Sequence, residues 1–321
     1  MKLYKYLILV LILLFIFGCS NKEAVLQDTQ SQNVESLNPE PAANSESEEP
    51  TDILKAAYDA RTECSDLYNS FSDRYTNVYE GDYNSMNMID KGLNTIPELD
   101  KELSLVKECS TKISNLATKA IPNYKEVQKQ WLENLGSCYS LTIAEMDLTK
   151  PALANYNKYL IYKKNMFIAD DTYSKILILF SEYNTLAIKE EKDKVLINLN
   201  NTISELNNLK KQIKKANSII PFSSLIQYTK WIDLMIGSCA FKEKAWKSGS
   251  YGIQTENLIK SKEKETEGDK IWYGLFGNII SEETDWFDKN IAELDQKAVD
   301  KYDEAEVFCD KEKSLRDSVL K

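Results

Sequence analysis

The clearest indication of fold class is the segment YSKILILFSEYNTLAIKEEKDKVLINLNNTISELNNLKKQIKKA, from Tyr173 to Ala216, which contains neither glycine nor proline. Its apolar residues recur every three or four positions, the period of one face of an α-helix. A continuous helix of about 45 residues would be about 68 Å long at 1.5 Å per residue. Because helices of that length rarely stand alone, partner helices should run beside it. The polar stretch from Lys189 to Lys194 is where we expect a break, if there is one.

The same spacing continues on the N-terminal side of this segment. Apolar stripes cover residues 53–78 and 99–120. Between them lies a turn-like stretch that holds Gly81, Gly92 and Pro97. The two stripes therefore predict a helical hairpin.

Two prolines and two acidic pairs are expected to mark helix starts. Pro122 and Pro151 each predict the opening of a helix, the second running to about residue 167, because proline at the first helical position sacrifices no hydrogen bond. The cluster Asp170-Asp171-Thr172 predicts an N-cap for the long segment. Glu282-Glu283 is likewise explained by a helix start, where carboxylates interact favourably with the helix dipole.

A weak internal repeat is visible at a spacing of about 100 residues. The apolar stripes predict an elongated all-α bundle with long coiled-coil-like helices and a hairpin over 52–120. The repeat divides the rest into two related three-helix units over 121–219 and 220–321. Chance similarity is the alternative. The matched segments are Ile121-Pro122 with Ile220-Pro221, Trp131-Leu132-Glu133 with Trp231-Ile232-Asp233, and Gly136-Ser137-Cys138 with Gly237-Ser238-Cys239.

The N-terminus has the pattern of an export signal. Lys2 and Lys5 precede an unbroken apolar run from Leu7 to Phe17, which Gly18 and Cys19 follow. The run is too short to span a bilayer as a helix, which takes about 20 residues. The junction resembles the lipobox of prokaryotic lipoproteins. That resemblance implies removal of residues 1–18, lipid on Cys19, and an extracytoplasmic protein anchored to a membrane.

The segment that follows, over residues 19–51, is rich in Gln, Asn, Ser, Glu and Pro. It has too few large apolar residues to offset the entropy lost on ordering. We expect it to be a disordered acidic stalk that holds the folded part about 30 Å from the lipid.

Charge and composition exclude several classes of function. The chain has 40 basic and 50 acidic residues, so nucleic acid is not expected as a partner. It contains no histidine, which removes the usual general base, metal ligand and partner of a nucleophile. No C-x-x-C pair is present to bind zinc or to act in redox chemistry. We therefore expect no enzyme activity, no cofactor and no metal site.

Five cysteines remain after the leader, all on predicted core faces, and outside the cytoplasm they are compatible with disulfides. Cys64 with Cys109 is the first expected pair, because hairpin partners lie close together. Cys138 with Cys239 is the second, because duplicated helices often pack symmetrically; this leaves Cys309 over. The alternative is that some of the five are small buried hydrophobic residues.

One glycine-containing segment, residues 268–277, is a candidate contact surface. Trp272, Tyr273 and Phe276 crowd among three glycines in a chain that has few. They could face a partner or the membrane, or they could form a joint whose rings pack on the bundle; we favour packing.

The function expected from these features is that of a membrane-anchored structural or protein-interaction module at the cell envelope, with an envelope protein as its partner. Self-association through the long helices is compatible with the stripes. The alternative is a helical-bundle receptor for a small molecule or peptide, which the aromatic content permits.

Overall fold

The computed structural model describes residues 50–81, 83–119 and 124–319, and these form an all-α helical bundle. The predicted fold class is therefore confirmed. The helices are α1 (Pro50–Tyr79), α2 (Met86–Ala117), α3 (Glu126–Ile188), α4 (Lys192–Ile219), α5 (Ser223–Lys247), α6 (Tyr251–Trp272), α7 (Leu275–Phe287), a π-helix (Asp288–Ala292) and α8 (Glu293–Val319).

Helix α3 is the axis on which the other elements pack. It is 63 residues long, about 95 Å at 1.5 Å per residue. Three hydrophobic clusters follow one another along it. The first includes Trp131 and residues of α1, α2 and α8; the second includes Met146 and residues of α1, α2 and the π-helix; the third includes Ile176 and residues of α4, α5 and α7.

The predicted helix starts at Pro151 and at Asp170-Asp171-Thr172 are wrong. Both lie inside α3, where the Thr172 hydroxyl donates to the carbonyl of Ile168 at 2.9 Å instead of capping a helix. A proline inside a helix costs about 3 kcal/mol. The buried stripe through residues 146, 149, 153, 156 and 160 continues across Pro151, so tertiary packing offsets that cost. The described part of this unit, residues 124–219, accordingly contains two helices, not three, whereas the duplication itself stays a prediction.

The turn expected around Gly92 and Pro97 is also misplaced, because both residues lie inside α2. The connection after α1 is shorter and centres on Gly81. Gly92 is buried, and a Cβ atom there would lie 2.7 Å from Cδ1 of Leu160. The glycine thus permits close packing of α2 against α3. The expected helix start at Pro122 lies outside the described residues.

The predicted break between Lys189 and Lys194 is confirmed. Helix α3 ends at Ile188 and α4 begins at Lys192, with Glu190 between them in the left-handed region at φ 55°. Glu282 lies within α7 and not at its start. Its Oε2 atom accepts the backbone N–H of Ser224 at 3.0 Å, so this carboxylate caps the first turn of α5 from a neighbouring helix.

Candidate functional site

A groove about 380 Å³ in volume lies between α3 and α6, with α5 as its floor. Each helix contributes residues spaced three or four apart, and such residues share one helix face. We call it the aromatic groove. Its lining from α3 is Tyr173, Leu177, Phe180, Tyr183 and Asn184; from α5, Trp231, Met235, Ser238 and Lys242; and from α6, Lys262, Glu265, Asp269 and Trp272.

One end of the aromatic groove is closed by packed rings. The ring centroids of Trp231 and Trp272 are 4.4 Å apart, and those of Tyr173 and Trp272 are 5.2 Å apart. Tyr228 packs edge-on against Trp272 from below, at 5.8 Å. Aromatic contacts at these separations are favourable in tilted and edge-to-face geometries. These contacts hold the rings in place, so that they form an ordered wall.

The other end is polar and is crossed by Lys242. Its ammonium lies 2.6 Å from a carboxylate oxygen of Glu265 and 4.6 Å from the centre of the Tyr183 ring. Ser238 donates to the same carboxylate at 3.0 Å. Burial alone would raise the pKa of Glu265, but the hydrogen bond from Lys242 and its charge outweigh burial and hold that pKa below its usual range. The Glu265 carboxylate therefore stays ionised at neutral pH.

Small residues allow α6 to approach the floor of the aromatic groove. The buried residues of α6 are Ser261 and Gly268. The hydroxyls of Ser261 and Ser238 are 2.9 Å apart. A Cβ atom at position 268 would lie 2.5 Å from Cε of Met235 and 3.4 Å from the Trp231 ring. Gly268 therefore sets the width of the groove beside the tryptophans.

The predicted contact residues Trp272, Tyr273 and Phe276 occupy different environments. Trp272 belongs to the packed rings, and Phe276 lies edge-on against it at 4.7 Å while remaining partly exposed. Tyr273 is 92% exposed, beside Gly274 in the left-handed region at φ 92°. On the next turn of α7, Ile280 is 64% exposed. We call Tyr273, Phe276 and Ile280 the α7 patch.

The structure bears out one of the two predicted cysteine pairs. Cys64 and Cys109 form a disulfide, with Cα atoms 5.6 Å apart. The pairing of Cys138 with Cys239 is wrong: Cys138 bonds Cys309, with Cα atoms 5.1 Å apart, because α8 folds back beside the first part of α3. Cys239 is a free buried thiol, and burial raises its pKa to about 11. Such a thiol is a poor nucleophile.

Sequence reasoning missed most of the aromatic groove. In the sequence Lys242 falls inside the apolar stripe of its own helix, and no motif marks Glu265 or Asp269. A lysine inside such a stripe is a usable signal, because a buried ammonium requires a carboxylate or an aromatic face. Which helix supplies those partners depends on the tertiary fold.

Comparison with protein-family models, with curated proteins and with solved structures found no match. Within the described residues, no helix is long and apolar enough to cross a membrane, and no group of three or more acidic or cysteine side chains is placed to hold a metal ion. Cys19 and nearly all of the expected stalk over 19–51 lie outside the described residues.

Proposed function

We propose that this is an exported, lipid-anchored protein whose helical domain binds another protein of the cell envelope through the α7 patch. The observation that carries the proposal is the exposure of Tyr273, Phe276 and Ile280 next to a helix that buries very little of itself. The proposal assigns the protein a role in binding and no catalytic step.

Exposed apolar residues occur at the start of α6 and again along α7. Scattered exposed apolar residues need no explanation. In this part of the chain they recur along two consecutive helices, and a tyrosine stands almost fully exposed at the turn between them. Tyrosine and other aromatic residues are enriched at protein interfaces, whereas charged residues are depleted at interface centres. The large exposed apolar residues of α6 are Tyr251, Ile253, Leu258 and Ile259.

Two further features support export and anchoring. The lipobox-like junction at Cys19 implies a lipid, and two acyl chains give durable membrane attachment. The two disulfides suit an oxidising compartment, because disulfides form and persist outside the cytoplasm. The stalk expected over 19–51 would give the domain reach from the membrane.

Crosslinking from a single position tests the contact. A photoreactive residue at position 273 in whole cells should give a reproducible adduct with one envelope protein, identified by mass spectrometry. The double substitution Tyr273→Ser with Ile280→Ser should abolish an adduct formed from a photoreactive residue at position 276. Ile197→Ser is the matched control, because Ile197 on α4 is 60% exposed and lies outside the patch.

The outcomes are distinct. Loss of the adduct in the patch variant and its retention in the Ile197→Ser protein would support the proposal. An adduct between two copies of the chain would identify the partner as a second copy. Monomer alone, or equal adducts in both variants, would contradict the proposal.

Anchoring has its own test. Cys19→Ser removes the only atom to which the expected lipid can attach. The variant should leave the membrane fraction or be mislocalised, as fractionation and immunoblotting would show. Unchanged membrane retention would refute the lipobox interpretation without bearing on the α7 patch.

A further inference from the structure

We propose that the aromatic groove is a binding site for a short peptide of two or three residues that begins with an aromatic residue. This site is separate from the α7 patch. Its volume of about 380 Å³ lies at the lower end of the range for ligand pockets, which is about 300–1,000 Å³. A ligand that fits it is therefore small.

The ring of the ligand is assigned to the closed end of the groove. Trp272 and Tyr173, which are partly exposed, line it there together with the buried Trp231, and each ring is already held by its neighbours. A further ring can stack offset or edge-on against them without reordering the wall. Because these side chains are ordered before binding, little rotamer entropy is lost.

The charges of the lining specify the rest of the ligand. Two lysines and two carboxylates line the groove, so their formal charges cancel. Lys242 and Glu265 neutralise each other at 2.6 Å. The Asp269 carboxylate has no hydrogen-bonding or ion-pair partner among the described residues, and Lys262 is bound only loosely, at 3.3 Å from Glu265. One acid and one base thus remain for a ligand that carries both charges.

The order of these groups along α6 sets the direction of the peptide. Asp269 lies one turn from Trp272, so the ligand's ammonium and its ring belong on the same residue. Lys262 lies seven residues earlier, about 10 Å along the helix. An extended dipeptide spans about 7 Å, and the flexible lysine side chain covers the difference. A single amino acid would be too short to reach both groups.

Calorimetric titration of the purified full-length protein with defined probes tests this. The probe is phenylalanyl-alanine. Its reversed isomer alanyl-phenylalanine, its N-acetyl form, its C-terminal amide and alanyl-alanine are the matched comparisons. We expect phenylalanyl-alanine to bind most tightly, with loss of either charge weakening binding about two- to fivefold, the size of a solvent-accessible ion pair. Alanyl-alanine should not bind measurably.

Two surface substitutions link the effect to the assigned groups. Asp269→Asn should lower the affinity for phenylalanyl-alanine to that of its N-acetyl form and leave the N-acetyl form unaffected. Lys262→Gln should do the same with respect to the amide. Glu267→Gln, on the same helix but outside the groove lining, is the control and should change nothing. The side chains of Asp269 and Lys262 are exposed, so these two variants should fold normally, as circular dichroism would show.

Three results would overturn the inference: no heat from any probe at millimolar concentration, equal affinity for alanyl-alanine, or equal effects of Asp269→Asn and Glu267→Gln. None of them affects the partner proposal, because Tyr273 and Ile280 do not line the groove.

Discussion

Removing the long-range disulfide should destabilise the domain more than removing the hairpin disulfide. Cys138 and Cys309 are 171 residues apart in sequence, whereas Cys64 and Cys109 are 45 apart. A crosslink restricts the unfolded chain in proportion to the logarithm of the loop it closes. On that basis the first bond contributes about 5 kcal/mol to the free energy of unfolding and the second about 4 kcal/mol.

The comparison uses paired alanine variants. Cys138→Ala with Cys309→Ala should lower the free energy of unfolding by about 1 kcal/mol more than Cys64→Ala with Cys109→Ala. Urea unfolding under non-reducing conditions, followed by circular dichroism, measures both. Cys239→Ala is the control, because it removes a buried sulfur without opening a loop. It should leave both disulfides intact in a peptide map.

Three results would refute this reasoning. A non-reduced digest that links Cys138 to Cys239 would show that α8 does not return to the first part of α3. Rapid alkylation of Cys239 in the native protein would contradict its burial, because a buried thiol with a pKa near 11 should react only after unfolding. Equal losses in the two paired variants would mean that loop length does not govern their stability.

Two further predictions concern the core. Burial raises the pKa of Glu145 to about 7 from an ordinary 4.5, against the lowering effect of the hydrogen bond from Tyr68 at 2.8 Å. The stabilisation that Glu145 contributes to the folded state is therefore complete below pH 4.5. It is lost as the pH rises through 7, which lowers the free energy of unfolding by about 3 kcal/mol in all. Urea unfolding at a series of pH values from 4 to 8 should show this fall in the free energy of unfolding in the native protein. The fall should be absent in Glu145→Gln and should extend to higher pH in Tyr68→Phe. Gly92→Ala should lower the melting temperature, because overpacking against Leu160 should cost about 1–3 kcal/mol of stability. Gly277→Ala, where a Cβ meets no atom within 4 Å, should raise it through a gain of up to about 1 kcal/mol in helix propensity; the opposite order would contradict the packing of α2 on α3.

The sequence predicted the presence of helices correctly but only some of the positions at which they begin and end. The stripe over residues 53–78 became α1 because every third or fourth residue finds a core to face. The break after Ile188 was predictable because the polar stretch that follows offers nothing to bury. Pro97 and Pro151 each predicted the interruption of a helix, and both predictions are wrong. The rule that proline marks a helix end or start takes no account of the packing on either side. Buried residues flank both prolines, so the packed helix continues through them.

Contacts between distant segments were the part that sequence could not supply. Cys64 and Cys109 were paired correctly because a hairpin fixes the register of its own helices. Cys138 meets Cys309 only because α8 returns along α3, and no local pattern encodes that return. The aromatic groove likewise depends on contacts between distant segments. Its residues lie on three helices, and only the segment around Trp272 is a candidate contact surface in the sequence.

Helix α3 separates the start of α1 from the aromatic groove. The chain enters at α1, whose early residue Leu54 shares a hydrophobic cluster with Trp131 and Val319 at the beginning of α3. The groove residue Tyr173 lies about 60 Å further along the same helix, at 1.5 Å per residue. The first turns of α1 therefore lie at the end of α3 remote from the aromatic groove. It follows that Cys19→Ser should change the cellular location of the protein while leaving peptide affinity in purified samples unchanged. A changed affinity would mean that the segment before α1 reaches the groove.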